Sequence, residues 1–207
     1  MTASRSVVVF DVGNVLIRWD PRLLYRQFFP EPAQMAWFMS HIVTAAWNIE
    51  LDRGADFDRA VEELVTRHPE WEREIRAFDQ QWHVMVPHAI DDHVALLDQL
   101  RSSGTPVYAI TNFSAKKWAE CLDRFAFLST FDGVVVSAHE RLIKPDPAIF
   151  RLFLKRYGLN AADCVFIDDS AKNIETAADL GFATVHVTDH VDVASALRVH
   201  GIAPRSL

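Results

Sequence analysis

The chain has 207 residues, half of them hydrophobic and 24% charged, which suits one globular domain carrying an insertion and excludes a disordered chain. Its 21 Lys+Arg against 28 Asp+Glu give a net charge of −7, and the lack of any Lys/Arg-rich run argues against a nucleic-acid-binding surface. Two cysteines, Cys121 and Cys164, are too few for a disulfide framework or a zinc site and point to a reducing compartment, the cytoplasm.

The first apolar run, Val7–Phe10, is cut short by Asp11, so neither a secretory leader nor a spanning helix is expected at this end. Residues 17–88 follow without a convincing β run. Their segments 33–50, 56–67 and 70–84 carry apolar residues at three- and four-residue spacing and are predicted helical. Five of the six tryptophans fall here (Trp19, Trp37, Trp47, Trp71 and Trp82), which fits the core of a small helical bundle better than a ligand cage. A helix over 91–102 is predicted from Ile90, Val94, Leu97 and Leu100, with Gly104 as its stop. Short β-branched runs at 107–110, 134–136, 164–167 and 183–187 then alternate with helical patterns at 114–125, 146–157 and 170–180. Ser114, Asp146 and Ser170 are placed as N-caps, and Gly158 and Gly181 as stops. Continuous rather than alternating hydrophobicity in the strands is what a parallel sheet covered on both faces requires. The expectation is a doubly wound, Rossmann-like α/β core built from residues 1–16 and 89–207, with residues 17–88 as an inserted all-helical unit.

In open parallel sheets, ligands bind beyond the carboxyl ends of the strands. Those ends read Asp11-Val12-Gly13-Asn14 after the first strand, Thr111-Asn112 after the second and Asp168-Asp169-Ser170 after the fourth. Taken singly, Asp168 or Ser170 caps a helix, Thr111 satisfies a turn and Asp11 binds nearby amides. Together, three carboxylates on one edge repel one another and lose solvation unless a cation joins them. Oxygen donors with room for waters suit Mg²⁺, whereas no paired His/Cys spacing for a transition metal appears. Lys144, in Ile143-Lys144-Pro145-Asp146-Pro147, is a compact charge suited to phosphate if it points inward. Aspartate is a covalent nucleophile in phosphoryl transfer, so the residues point to a Mg²⁺-assisted phosphohydrolase.

Residues 10–16, Ile110-Thr111-Asn112, Lys144-Pro145 with Ala148-Ile149-Phe150, and residues 166–170 with Asn173 resemble the four motifs of the haloacid dehalogenase superfamily, in order and over essentially the whole chain. The resemblance implies that Asp11 attacks the substrate phosphorus and becomes an aspartyl-phosphate that water hydrolyses. It implies that Thr111 and the Asn112 amide hold the phosphoryl oxygens, with Asn173 alongside, and that Lys144 steadies Asp11 and the phosphate. Mg²⁺ would be held by Asp11, the Gly13 carbonyl and Asp168, with Asp169 contributing directly or through water. Residues 17–88 stand where the family carries a helical cap, and Trp47 and Arg53 in the turn at 47–54 are candidate specificity residues. Phosphatases of the family usually have a second Asp two residues after the nucleophile as general acid and base, where this chain has Gly13. The same glycine occurs in a branch similar to sugar-phosphate phosphatases, so a small phosphorylated metabolite with a good leaving group, such as a sugar phosphate, is the expected partner.

Two other readings share the pocket. Metal-free 2-haloacid dehalogenases also use the strand-one Asp, but adjacent carboxylates at Asp168 and Asp169 would repel an anionic haloacid without a cation. A weakly active phospho-ligand-binding protein has Gly13 as its support. The sequence leaves oligomeric state open.

Overall fold

The structure, a computed structural model, describes residues 6–202. Its sheet has five parallel strands: β1 (Val7–Phe10), β2 (Val107–Thr111), β3 (Gly133–Val136), β4 (Cys164–Asp168) and β5 (Ala183–His186), in the order β3-β2-β1-β4-β5. Every strand falls within two residues of its sequence expectation. Residues of β1 alternate between two separate cores. Val8 and Phe10 pack with Leu96, Leu97 and Leu197 on one face, and Val7 and Val9 pack with Phe150, Phe153 and Ala177 on the other. Both faces of a central strand are therefore dry, which explains why its sequence is uniformly apolar.

Helices α1 (Arg22–Tyr25), α2 (Pro32–His41), α3 (Ala45–Asp52), α4 (Phe57–Arg67), α5 (Glu72–Gln80) and α6 (Trp82–Met85) fill the interval between β1 and α7 (Asp91–Ser102). The expected single helix over 33–50 is broken. Thr44 leaves the helix to accept a hydrogen bond from the Trp47 amide and so caps a new helix, α3. The expected helix over 70–84 likewise becomes a 3₁₀ turn, Pro69–Trp71, followed by α5 and α6, because Trp71 and Gln81 leave helical backbone angles. The chain enters and leaves this helical stretch side by side: Arg18 N–H donates to the His88 carbonyl at 3.0 Å, and Ile90 N–H to the Leu16 carbonyl at 2.8 Å.

The remaining helices are α8 (Ala115–Arg124), α9 (Ser137–Glu140), α10 (Pro147–Tyr157), α11 (Ala171–Asp179) and α12 (Val193–Val199). Of the three expected N-caps only Asp146 caps with its side chain, accepting from the Ala148 amide at 2.8 Å. Ser114 and Ser170 make no such bond. Gly104, Gly158 and Gly181 end their helices at positive φ, as a left-handed stop requires. Cys121 and Cys164 are free and buried, and burial pushes both thiols up to about 12, which disfavours the thiolate.

Candidate active site

Strands β2, β1 and β4 are neighbours, so their carboxyl ends bring Thr111, Asp11 and Asp168 side by side. Register sets Phe10 beside both Ala109 and Ile167, and the Asp11 amide donates to the Ile167 carbonyl at 2.8 Å. Lys144 comes from the loop between α9 and α10. Its amide donates to Asn112 Oδ1 at 2.8 Å, and Asn112 Nδ2 donates back to the Lys144 carbonyl at 3.0 Å. This two-point clasp turns the lysine inward, placing Nζ 2.8 Å from Asp11 Oδ1 and 2.7 Å from Asp168 Oδ2.

All three groups are buried, at 3% exposure for Lys144, 8% for Asp11 and none for Asp168. Burial pushes the Asp11 carboxyl up to about 8 against the opposing pull of Lys144, with the charges of Asp168 and Asp169 adding to the effect of burial. Burial also raises Asp169, helped by the Asp168 charge. Burial works against the Lys144 ammonium too, but the two carboxylates outweigh it and hold it above the ordinary lysine range. Carboxylate oxygens of Asp11, Asp168 and Asp169 lie within 4.8 Å of one another. Three acids against one lysine leave a local surplus of negative charge in an all-oxygen donor set, which fits a hard divalent cation.

The donors are not equivalent. Asp168 Oδ1 accepts from the Ser170 amide at 2.8 Å, Oδ2 accepts from Lys144, and Asn173 Nδ2 reaches both oxygens at 3.0 Å. Its lone pairs are largely committed to holding the floor, whereas Asp169 lines the open cavity. Asn173, expected beside the phosphate, works first as the clamp on Asp168. Thr111 is fully buried and its hydroxyl has no hydrogen-bond partner among the described residues. A buried unpaired hydroxyl is costly, and Thr111 stands at the end of β2 without lining the cavity.

A cavity of about 300 Å³ opens over this floor. Asp11, Gly13, Asn112, Lys144, Asp169 and Asn173 face it from the α/β core, and Asn48, Asp52, Phe57 and Trp82 face it from the helical insertion. Trp47 and Arg53 do not reach it. Trp47 packs edge-on against Phe78 with ring centroids 5.1 Å apart, and Arg53 lies at the surface 3.4 Å from Glu50. Successive helical residues diverge by about 100°, so if α3 turns Asn48 and Asp52 to the cavity, Trp47 and Arg53 face elsewhere. The expectation chose the right helix and the wrong side of it. Among the tryptophans, Trp19 and Trp82 stand on the cavity wall, while Trp71 packs with Phe29 and Phe38 as bundle core.

Lys117 was missed as well. It is buried on the cavity wall, with Nζ 2.7 Å from Asp79 Oδ1 and 2.8 Å from Glu120 Oε1, and it lies over the rings of Phe57 and Trp82. Lys116 and Lys117 in the first turn of α8 oppose the helix dipole, which was the available signal that tertiary partners hold them.

The family model for haloacid dehalogenase-like hydrolases matches residues 6–181. The chain belongs to the haloacid dehalogenase-like hydrolases. A sesquiterpene phosphatase of Aspergillus oryzae is 27% identical over 96% of this chain and 97% of its own length. A glyceraldehyde 3-phosphate phosphatase of Methanocaldococcus jannaschii is 35% identical over 49% of this chain and 43% of its own. A family enzyme of Bacteroides thetaiotaomicron, solved in complex with magnesium and inorganic phosphate, superimposes with a TM-score of 0.76 at 20% identity, over 93% of this chain and 99% of that one, and so shares the α/β fold. Among the described residues, no helix of this hydrolase is long and apolar enough to cross a membrane.

Proposed function

We propose that this family member is a Mg²⁺-dependent phosphatase that hydrolyses a small phosphorylated metabolite through an aspartyl-phosphate on Asp11. The observation that carries the reading is the buried Lys144 ammonium bridging Asp11 and Asp168 beneath an open cavity. Phosphatase activity at the coarse level is supported by relatives of that activity, one of them along nearly the whole chain.

In this scheme Lys144 orients the Asp11 carboxylate and draws the phosphoryl group toward it. The other Asp11 oxygen attacks phosphorus in line with the departing ester oxygen, and Thr111 and the Asn112 amide receive the phosphoryl oxygens. Water then cleaves the acyl phosphate and returns Asp11. Asp11, the Gly13 carbonyl and Asp169 would hold Mg²⁺, with Asp168 nearby positioning Lys144. The bound ion would offset the surplus of carboxylates and the charge on the phosphoryl oxygens. Residues 17–88 act as a cap over the site, and residues 1–16 and 89–207 as the catalytic core.

The cavity wall informs the leaving group. Trp19, Phe57, Trp82 and Phe113 present four aromatic rings, beside the polar pair Asn48 and Asp52. Such a wall takes the flat apolar face of a sugar, and it also suits an isoprenoid chain, a second reading favoured by the aromatic lining. Phosphate release from glucose 1-phosphate, other sugar phosphates and farnesyl phosphate, with Mg²⁺ and with EDTA, separates the two. Asp11→Asn is expected to lower release by at least about 10³-fold on whichever ester is used. Full activity in that variant, or chloride release from 2-chloropropionate in EDTA, would overturn the proposal.

A further inference from the structure

We propose that Asp52, contributed by the helical insertion, is the proton donor and acceptor for the ester oxygen, replacing the acid that Gly13 lacks. This inference rests on the phosphatase reading above. Space does not explain the glycine: a Cβ at Gly13 would meet no atom within 4 Å, and the residue borders the cavity. No steric cause excludes a side chain there, and a carboxyl able to do the work of a missing donor borders the same cavity from another element.

Asp52 reaches it from the far wall. Its placement is fixed at several points. The Asp52 carbonyl accepts from Ser137 Oγ at 2.5 Å, and Ser137 Oγ in turn accepts from the Phe113 amide at 2.9 Å, just beyond β2. Two residues on, Gly54 has φ of +101°, and a Cβ there would come within 2.6 Å of the Ala138 carbonyl oxygen. Glycine therefore lets the end of α3 press directly onto α9. These contacts anchor the Asp52 backbone against the core, and the residue lines the cavity.

Its neighbours leave the carboxyl free to exchange a proton. Asn48 Nδ2 donates to Asp52 Oδ2 at 3.0 Å, and no cation pairs with Asp52 among the described residues. Lys117 is engaged by Asp79 and Glu120, Lys144 by Asp11 and Asp168, and Glu140 of α9 by Arg156; Lys172, on the rim of the same cavity, and His139 are exposed. Burial pushes the Asp52 carboxyl up to about 7, opposed by the Ser114 amide and Asn48. Both protonation states are then populated near neutrality, as a group that gives and then takes a proton requires.

The step balances. As Asp11 Oδ attacks and the bond from phosphorus to the ester oxygen breaks, that oxygen takes the proton of the Asp52 carboxyl and leaves as the alcohol. Asp52, now a carboxylate, accepts a proton from the water that attacks the acyl phosphate. Phosphate and free Asp11 result, with Asp52 protonated again.

Asp52→Asn keeps the shape and the Asn48 contact but carries no exchangeable carboxyl proton. With Mg²⁺, kcat/KM, which reports the steps up to departure of the alcohol and not the later hydrolysis of the acyl phosphate common to both esters, is measured for p-nitrophenyl phosphate and for an alkyl phosphate across pH 5–9. Asp52→Asn is expected to lower kcat/KM on the alkyl ester by about 10²–10³-fold and on the aryl ester by less than about 10-fold, since a good leaving group needs little protonation. The fall in wild-type alkyl-ester kcat/KM above about pH 7 should disappear with it. Adding Gly13→Asp to Asp52→Asn should restore part of the alkyl-ester rate. Equal losses on both esters, a pH limb unchanged in Asp52→Asn, or an undiminished alkyl-ester rate would each overturn the role of Asp52 alone. If the wild type releases phosphate from neither ester, the phosphatase reading falls and takes this one with it.

Discussion

The floor and the wall of this cavity are built by different rules. The floor comes from three adjacent strand ends and one loop, and apart from the Thr111 hydroxyl its polar groups find partners within the α/β core: Lys144 in Asp11 and Asp168, Asp168 in Asn173 and Ser170, Asn112 in the Lys144 backbone. The wall needs both parts of the molecule. Lys117 is met by Asp79 of α5 as well as by Glu120 on its own helix, and Asp52 is held because Ser137 and Ala138 of the core receive the end of α3. Buried charge in the floor is compensated in part by Lys144 from within the core, while the wall keeps a carboxyl with no cation, whose proton is held more tightly than on an exposed carboxyl. The floor is thus suited to chemistry common to every substrate, and the wall to tuning which ester is cleaved.

Breaking the floor gives the largest effects. Lys144→Met leaves Asp11 and Asp168 buried without their cation and is expected to cost about 3–5 kcal/mol in urea denaturation as well as activity. A loss under about 1 kcal/mol would show that the floor is not held by this ion triad. Asn173→Ala frees Asp168 without touching Lys144, and a 10–100-fold drop in kcat on every ester alike is expected, with a smaller rise in Tm on adding Mg²⁺ than the wild type shows.

Changes in the wall sharpen the contrast by separating stability from activity. Because the folded-state pKa of Asp52 lies above the ordinary carboxylate value, the folded chain retains a proton that the unfolded chain releases. This group's contribution to stability is complete below about pH 4 and is lost as pH rises through about 7. Asp52→Asn removes that loss, so its Tm relative to wild type should climb between pH 4 and 7 and level off above. A flat difference would mean that the carboxyl is not raised. The smallest effect belongs to Arg53→Ala: an exposed side chain beside Glu50 should change kcat/KM by less than about 2-fold for sugar phosphates.

Much of this was legible from residues alone where the pattern is local. Five apolar runs gave five strands, and Asp11, Thr111 and Asp168 stood at their ends because a parallel sheet aligns all its carboxyl ends on one edge. The interior of the insertion was harder. Thr44 breaks a helix that apolar spacing alone would continue, and apolar spacing does not say that Asn48 rather than its neighbour Trp47 lines the cavity. On a helix, adjacent residues point in different directions, and which direction is inward depends on what the helix packs against. Lys117 escaped notice for the same reason, since its partners lie 38 residues away at Asp79 and one turn along at Glu120.

By itself, the sequence determined the parallel α/β core and the four clusters of polar residues, because backbone periodicity and strand-end chemistry are short-range properties. Tertiary structure decided how charge is shared among them. It committed Asp168 and Asn173 to the floor, turned Lys117 and Asp52 onto the wall and Arg53 away from it, and brought Gly54 against Ala138. Those outcomes depend on burial and on partners distant in the chain, and a carboxyl's proton affinity is set by its surroundings rather than by its position in a motif.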